Sequence, residues 1–176
     1  MNLSSPVIRA CHVMVIAAAV LALNGCASLG LRGVDAQTRA SVETALGAFA
    51  NSLQGQLPDA KSAYLLLENY VRNNPAVYGA ALAYAPETVG GKVVKSAPYA
   101  YRKGTGLQVK DLYGLDYDYP AMEWYQAAAA SGKPAWSEPY FDKGGGDAWM
   151  RTYSVPIMKA GKAIAVLTSD VPVAGK

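Results

Sequence analysis

The sequence predicts an α+β fold: a long N-terminal helical segment of two helices, packed on an antiparallel sheet of five or six strands with one further helix inserted among them. Three observations carry that expectation. Apolar residues recur at spacings of three and four up to Asn73-Asn74-Pro75. From Val77 onward they alternate every second residue. Near the C-terminus, short glycine-containing turns separate three extended segments, which makes those segments antiparallel neighbours.

The helical part begins at Asp35, a capping residue. Val42, Leu46, Phe49 and Leu53 then form one apolar stripe that Gly55 and Pro58 interrupt. A second helix is expected from Pro58 to Arg72. Proline suits its first turn, Asp59 complements the helix dipole, and Ala63, Leu66, Leu67 and Tyr70 make its buried stripe. It stops before Pro75, because the residue ahead of a proline avoids helical geometry. Val77 to Ala85 reads as a strand with Tyr78, Ala80, Leu82 and Tyr84 on one face, and Pro86 to Gly91 as a turn. Pro98 to Lys103 is a short strand with Tyr99 and Tyr101 on one side, and Leu107 to Tyr113 a further one. Asp118 is a cap candidate and Pro120 a first-turn residue for a helix running through Trp124 and Ala127–Ala130 to Gly132. Ala135 to Tyr140 is extended and Lys143 to Asp147 is a hairpin turn. Ala148 to Met158 and Lys162 to Val171 are the last two strands.

Residues 1–25 read as a signal peptide. Arg9 precedes an unbroken apolar run, Val13 to Leu23, of eleven residues, short of the roughly 20 that a spanning helix needs. Leu23-Asn24-Gly25-Cys26 resembles a lipobox, the bacterial lipoprotein signal, which implies cleavage before Cys26 and lipid on that cysteine. Residues 26–34 then form a tether and 35–174 a single domain. In Gram-negative bacteria the residue after the lipidated cysteine influences sorting, and Ala27 points to the periplasmic side of the outer membrane.

Cleavage changes the chemistry available. It leaves 151 of the 176 residues and a formal charge of +2 instead of +3, which gives no basis for a nucleic-acid partner. It also removes Cys11 and the single histidine, His12. A mature chain without histidine or a free thiol has no Ser-His-Asp triad, Cys-His pair or histidine-held zinc. Any enzyme here would have to work with carboxylates, lysine, tyrosine or an unassisted serine; the expectation is no catalytic activity, metal or cofactor.

The segment from Glu123 to Asp170 resembles the Cache family of extracytoplasmic sensor domains. The resemblance lies in Glu123-Trp124-Tyr125, then Ser131 through Asp142, Gly144-Gly145-Gly146-Asp147, Thr152 through Pro156 and Ser169-Asp170-Val171, in that order. Asn74 through Ala81 resembles the family's first strand. The resemblance implies a PAS-like fold with a small-molecule pocket, fed by the Trp-Tyr helix, the strands around it and an acid at the end of the last strand. The candidate ligand-binding residues are Tyr101, Tyr117, Trp124, Tyr125, Trp136, Tyr140, Asp142, Tyr153 and Asp170. Amino-acid-binding members share an Arg-x-Trp-Tyr motif whose arginine holds the ligand carboxylate; here Met122 stands at that position.

Composition points toward a cationic ligand. All three tryptophans, and eight of the twelve tyrosines, lie between Tyr99 and Tyr153, and from Asp111 to Asp147 seven acids face two bases. Acids beside aromatic faces suit an amine through ion pairing and cation–π contact. A solvated acidic surface over a tyrosine-built core is the plainer alternative. The expected function is a lipid-anchored sensor module without catalytic activity. It would bind an amine or amino-acid-like solute and act through a receptor, kinase or envelope partner, since the chain ends at Lys176 right after the last strand. The competing expectation is a structural or assembly lipoprotein of the envelope that keeps the fold without a ligand.

Overall fold

The structure is a computed structural model describing residues 33–115 and 117–175. The expected signal peptide, Cys26, nearly all of the tether, and Asp116 lie outside the described residues.

Two helices open the domain. In α1 (Ala36–Ser52), the Asp35 carboxylate accepts the Thr38 amide, and Val42, Leu46 and Ala50 are buried. In α2 (Ala60–Asn73), Asp59 is the cap, accepting the Ser62 amide. Proline 58 thus stands just outside the helix rather than in its first turn. Ala63, Leu67, Tyr70 and Val71 are its buried residues, whereas Leu66 is 39% exposed. One step of the helix turns Leu66 off the packed face, and Val71 fills the stripe in its place. The far end of α2 is closed by the Arg102 guanidinium, which donates to the carbonyls of Val71, Asn74 and Val77. Those carbonyls include ones that a helix terminus leaves without partners.

The sheet is antiparallel throughout, in the order β5-β4-β1-β9-β8-β6, with the short strand β7 also paired to β8. The strands are β1 (Gly79–Tyr84), β4 (Pro98–Lys103), β5 (Gly106–Asp111), β6 (Ala135–Trp136), β7 (Tyr140–Phe141), β8 (Trp149–Lys159) and β9 (Lys162–Pro172). That makes seven strands against the five or six expected, because Ala135 to Tyr140 contributes two separate pairings to β8. The stretch expected to be a plain turn after Pro86 is a separate hairpin of β2 (Glu87–Val89) and β3 (Lys92–Val94), turning at Gly90 and Gly91 with positive φ. All six of its strand residues are exposed, so it carries no burial signal that alternation could reveal.

Strand β1 lies in the middle of the sheet and is buried on both faces. Ala80 and Leu82 pack into the core beneath α1 and α2, and Ala81 and Ala83 into a second core on the opposite face. A strand covered on both sides reads as a continuous apolar run, as Gly79 to Tyr84 does. The second core is closed by α3 (Glu123–Ser131) and by the 3₁₀ turns Leu112–Leu115 and Tyr119–Ala121 that lead into it. Met122 is the N-cap of α3, while Asp118 precedes the second 3₁₀ turn and makes no side-chain cap. Asp118 pairs instead with Lys95 at 2.7 Å. Gly132, at φ +64°, ends α3 in the left-handed conformation that glycine adopts at least cost.

Candidate functional site

Strand register assembles the site. Tyr101 pairs with Gly79, Gly79 with Asp170, and Asp170 with Thr152, so one row crosses four strands on one face. The next row on that face carries Tyr99, Ala81 and Ser154, with Thr168 opposite Ser154. This is the face covered by α3. It is unusual for a core, because Thr152, Ser154, Thr168 and Asp170 are all at most 4% exposed. Buried polar groups cost free energy unless they are hydrogen-bonded, so such a row needs partners. Gly79 makes room for one of them: a Cβ there would collide with the Tyr99 hydroxyl.

Two hydrogen-bond relays each end on a carboxylate. Trp124 Nε1 donates to Tyr117 Oη at 3.2 Å, which donates to Asp142 Oδ1 at 2.5 Å. Gly146 N donates to Asp142 Oδ2 at 2.7 Å. In the second relay Tyr140 Oη and Thr152 Oγ1 are 2.8 Å apart, and Thr152 Oγ1 donates to Asp170 Oδ1 at 2.8 Å. Burial, then the charge of neighbouring Asp142, pushes the Asp170 carboxyl up to about 7. Burial likewise raises Asp142, against the hydrogen bonds it accepts from Tyr117 and Gly146 and the attraction of Lys110. Desolvation first, and the two acids next, also raise the Tyr140 hydroxyl.

Two hydroxyls in this region are buried without a partner, Tyr99 Oη and Ser154 Oγ. Tyr99 stands near enough to Asp170 for the two to perturb each other's ionisation, yet it makes no well-formed hydrogen bond. A loop, residues 142–147, folds over the acids. A Cβ on Gly145 would strike the Asp142 carboxylate, and one on Gly146 would lie 2.6 Å from Met150 Cε and 2.8 Å from the Tyr78 ring. The loop's glycines are therefore needed for close approach, and Tyr78 Oη holds the Gly146 carbonyl at 2.9 Å.

The structure brings six of the nine candidates together: Tyr117, Trp124, Tyr125, Tyr140, Asp142 and Asp170 all lie on the α3 side. Tyr101 sits at the margin, stacked on Tyr99 at 5.3 Å, its hydroxyl on Gln108. Trp136 and Tyr153 do not join them. They pack together at 5.1 Å on the α1 side, where Trp136 Nε1 donates to Glu43 and the Arg39 guanidinium lies 4.9 Å over the indole. Strand alternation explains this: Tyr153 lies between Thr152 and Ser154 and must point the other way. Sequence reasoning missed Tyr99, Thr152, Ser154 and Lys110. Tyr99 was within reach, since it shares a strand face with Tyr101, and Thr152 and Ser154 follow from the register opposite Asp170.

Two cavities formed by described residues bear on access. One of about 360 Å³ opens at Lys95, Tyr113, Tyr117 and Asp118, and through Tyr117 it reaches the first relay. A larger one, about 500 Å³, lies at the Tyr84 end of β1, between the α1–α2 connection and the β2–β3 hairpin, and shares Lys95 with the first. Its lining sets Lys95 and Lys159 against Asp59 and Glu87 and holds none of the site residues.

The family model described as the first PDC sensor domain of methyl-accepting chemotaxis protein-like proteins matches residues 63–174. The chain belongs to this family. The match agrees with the Cache resemblance read from the sequence and with the α+β architecture. Among solved structures, the PDC domain is similar to the extracellular domain of soHK1S-Z6, described as a histidine kinase. Identity is 26% and the TM-score 0.69, over 76% of this chain and 53% of that one. It is also similar in fold to the ligand-binding domain of the Campylobacter jejuni chemoreceptor Tlp3 in complex with L-valine, at 19% identity and a TM-score of 0.59, over 77% of this chain and 53% of that one. A second Tlp3 structure, with isoleucine bound, gives 19% and 0.58, over 77% and 52%. The chain spans about half the length of these solved domains. No curated protein sequence matches it. Its family is one of extracellular sensor domains, and no described helix is long and apolar enough to cross a membrane.

Proposed function

We propose that this PDC domain is a lipid-anchored extracytoplasmic sensor module that binds a small amine-type cation and passes the signal through a partner protein. The observation that carries the reading is the pair of buried carboxylates, Asp142 and Asp170, set among tyrosine hydroxyls of which one, Tyr99, has no partner. A ligand ammonium has three donors and no acceptor, so it matches a wall of carboxylate and hydroxyl oxygens. Asp170, held near neutrality by burial, would ionise as the cation arrives.

Tlp3 is described with L-valine and with isoleucine. In this chain the residue two before Trp124 is Met122, an apolar side chain packed against the second core, so the arginine that the Cache resemblance assigns to a ligand carboxylate is absent from that position. That favours an amine over an amino acid. Lipid on Cys26 would place the domain at the membrane surface, and contact with a receptor, kinase or envelope protein would carry its output.

A structural role is the second reading, favoured by how fully the two relays satisfy Asp142 and Asp170 from within the protein. Thermal melting of the purified chain against amines, amino acids and organic acids separates the two. An amine-dependent rise in melting temperature that disappears in Asp170→Asn supports the sensor. No shift with any of the three classes supports the structural role, and a response to carboxylates alone overturns the amine assignment.

A further inference from the structure

Lys110 is the one described cation that reaches the acid-and-tyrosine site. It lies on β5 directly opposite Tyr99. Its Nζ stands 4.7 Å from the Tyr101 ring centre and 5.8 Å from that of Tyr99. The same ammonium donates to the carbonyls of Gly144 at 3.1 Å and Gly145 at 2.5 Å. These are carbonyls of the loop that closes over Asp142, and Lys110 draws that carboxyl toward its charged form. Tyr99 bridges the two ends of the site, with its ring near Lys110 and its hydroxyl beside Asp170.

We propose that Lys110 is a specificity-determining residue: it fixes one positive charge beside the site, which therefore accepts a ligand with a single cationic centre and rejects one with two. The inference rests on the amine reading of the same site. A linear diamine anchored at Asp170 has two places for its second ammonium, the Tyr99–Tyr101 ring faces and the Gly144–Gly145 carbonyls. Lys110 already fills both. Like charges brought together beside this half-buried lysine repel, and a displaced lysine would lose its carbonyl partners on the loop. A monoamine with an apolar tail brings no second ammonium, so it neither repels Lys110 nor has to displace it.

The test is calorimetric titration of the full chain, purified in detergent, with butylamine and with 1,4-diaminobutane. The unaltered chain should bind butylamine at least about tenfold more tightly than the diamine. Lys110→Met should erase or reverse that ratio, and Lys110→Arg, which keeps the charge, should preserve it. Lys110→Gln replaces the methionine variant if circular dichroism shows that the latter has lost its fold. A ratio unchanged in the neutral variant, or a preference for the diamine in the unaltered chain, overturns the role of Lys110 while leaving the amine site standing. Binding of neither amine to the unaltered chain overturns the amine reading and this inference together.

Discussion

Asp170 is where residue-scale physics is most exposed to measurement. Its carboxyl is raised from 3.8 to about 7, mainly by burial and next by Asp142. Below 3.8 both folded and unfolded chains hold its proton. Between 3.8 and about 7 the folded chain keeps a proton that the unfolded chain has lost, so stability falls as pH rises through that window, by up to about 1.4 kcal/mol per unit. Urea titrations at pH 5 and pH 8 should show the domain more stable at pH 5. Asp170→Asn should flatten the difference and raise stability at pH 8. Cation binding should run the opposite way, strengthening from pH 5 to pH 8 and releasing a proton. At this scale the sequence was partly legible. The resemblance pointed to Trp124, Tyr125, Tyr140, Asp142 and Asp170, and Tyr117 was named beside them. The resemblance pointed to Trp136 and Tyr153 as well, but strand alternation turns both to the other face, where they pair across β6 and β8. Lys110 left no local signal, since its place depends on the β4–β5 register and on a loop more than thirty residues away.

Among elements, the loop between β7 and β8 most constrains the site. Gly146→Ala would press a methyl group against Met150 and Tyr78. It should cost about 1–3 kcal/mol of stability, seen as a lower urea midpoint at unchanged slope. Any amine binding should weaken with it, because Gly146 N also holds Asp142. Leu46→Ala on α1, fully buried beneath the sheet's other face, should cost about 2–5 kcal/mol with amine affinity retained in the folded fraction. The contrast between these variants separates the two cores by function. The helices α1 and α2 were readable because each has one periodic buried face, and the long strands because they carry sustained apolar runs between turns, β9 being buried along most of its length. The short pieces were not: β6 and β7 have two residues each and the β2–β3 hairpin has no buried residue, so each exists through pairing alone.

For the whole molecule, the fold places α1 and α2 on one face of a single sheet and the candidate site on the other. One row of paired residues links β4, β1, β9 and β8 across the candidate site, so a cation bound there would bear on all four strands. The proposed lipid anchor on Cys26 belongs to this scale. Cys26→Ser should move the chain from the membrane pellet to the soluble fraction and abolish metabolic labelling with a fatty acid. If the chain instead stays with the membrane and remains unlabelled, the anchor is not the lipid. The measurement that bears most directly on the central claim is calorimetric titration of butylamine into the unaltered chain and into Asp170→Asn at pH 8. Saturable one-to-one binding to the unaltered chain, weakened at least about tenfold in the variant, is the predicted result. Equal binding by both, or no heat from either while both remain folded, contradicts it.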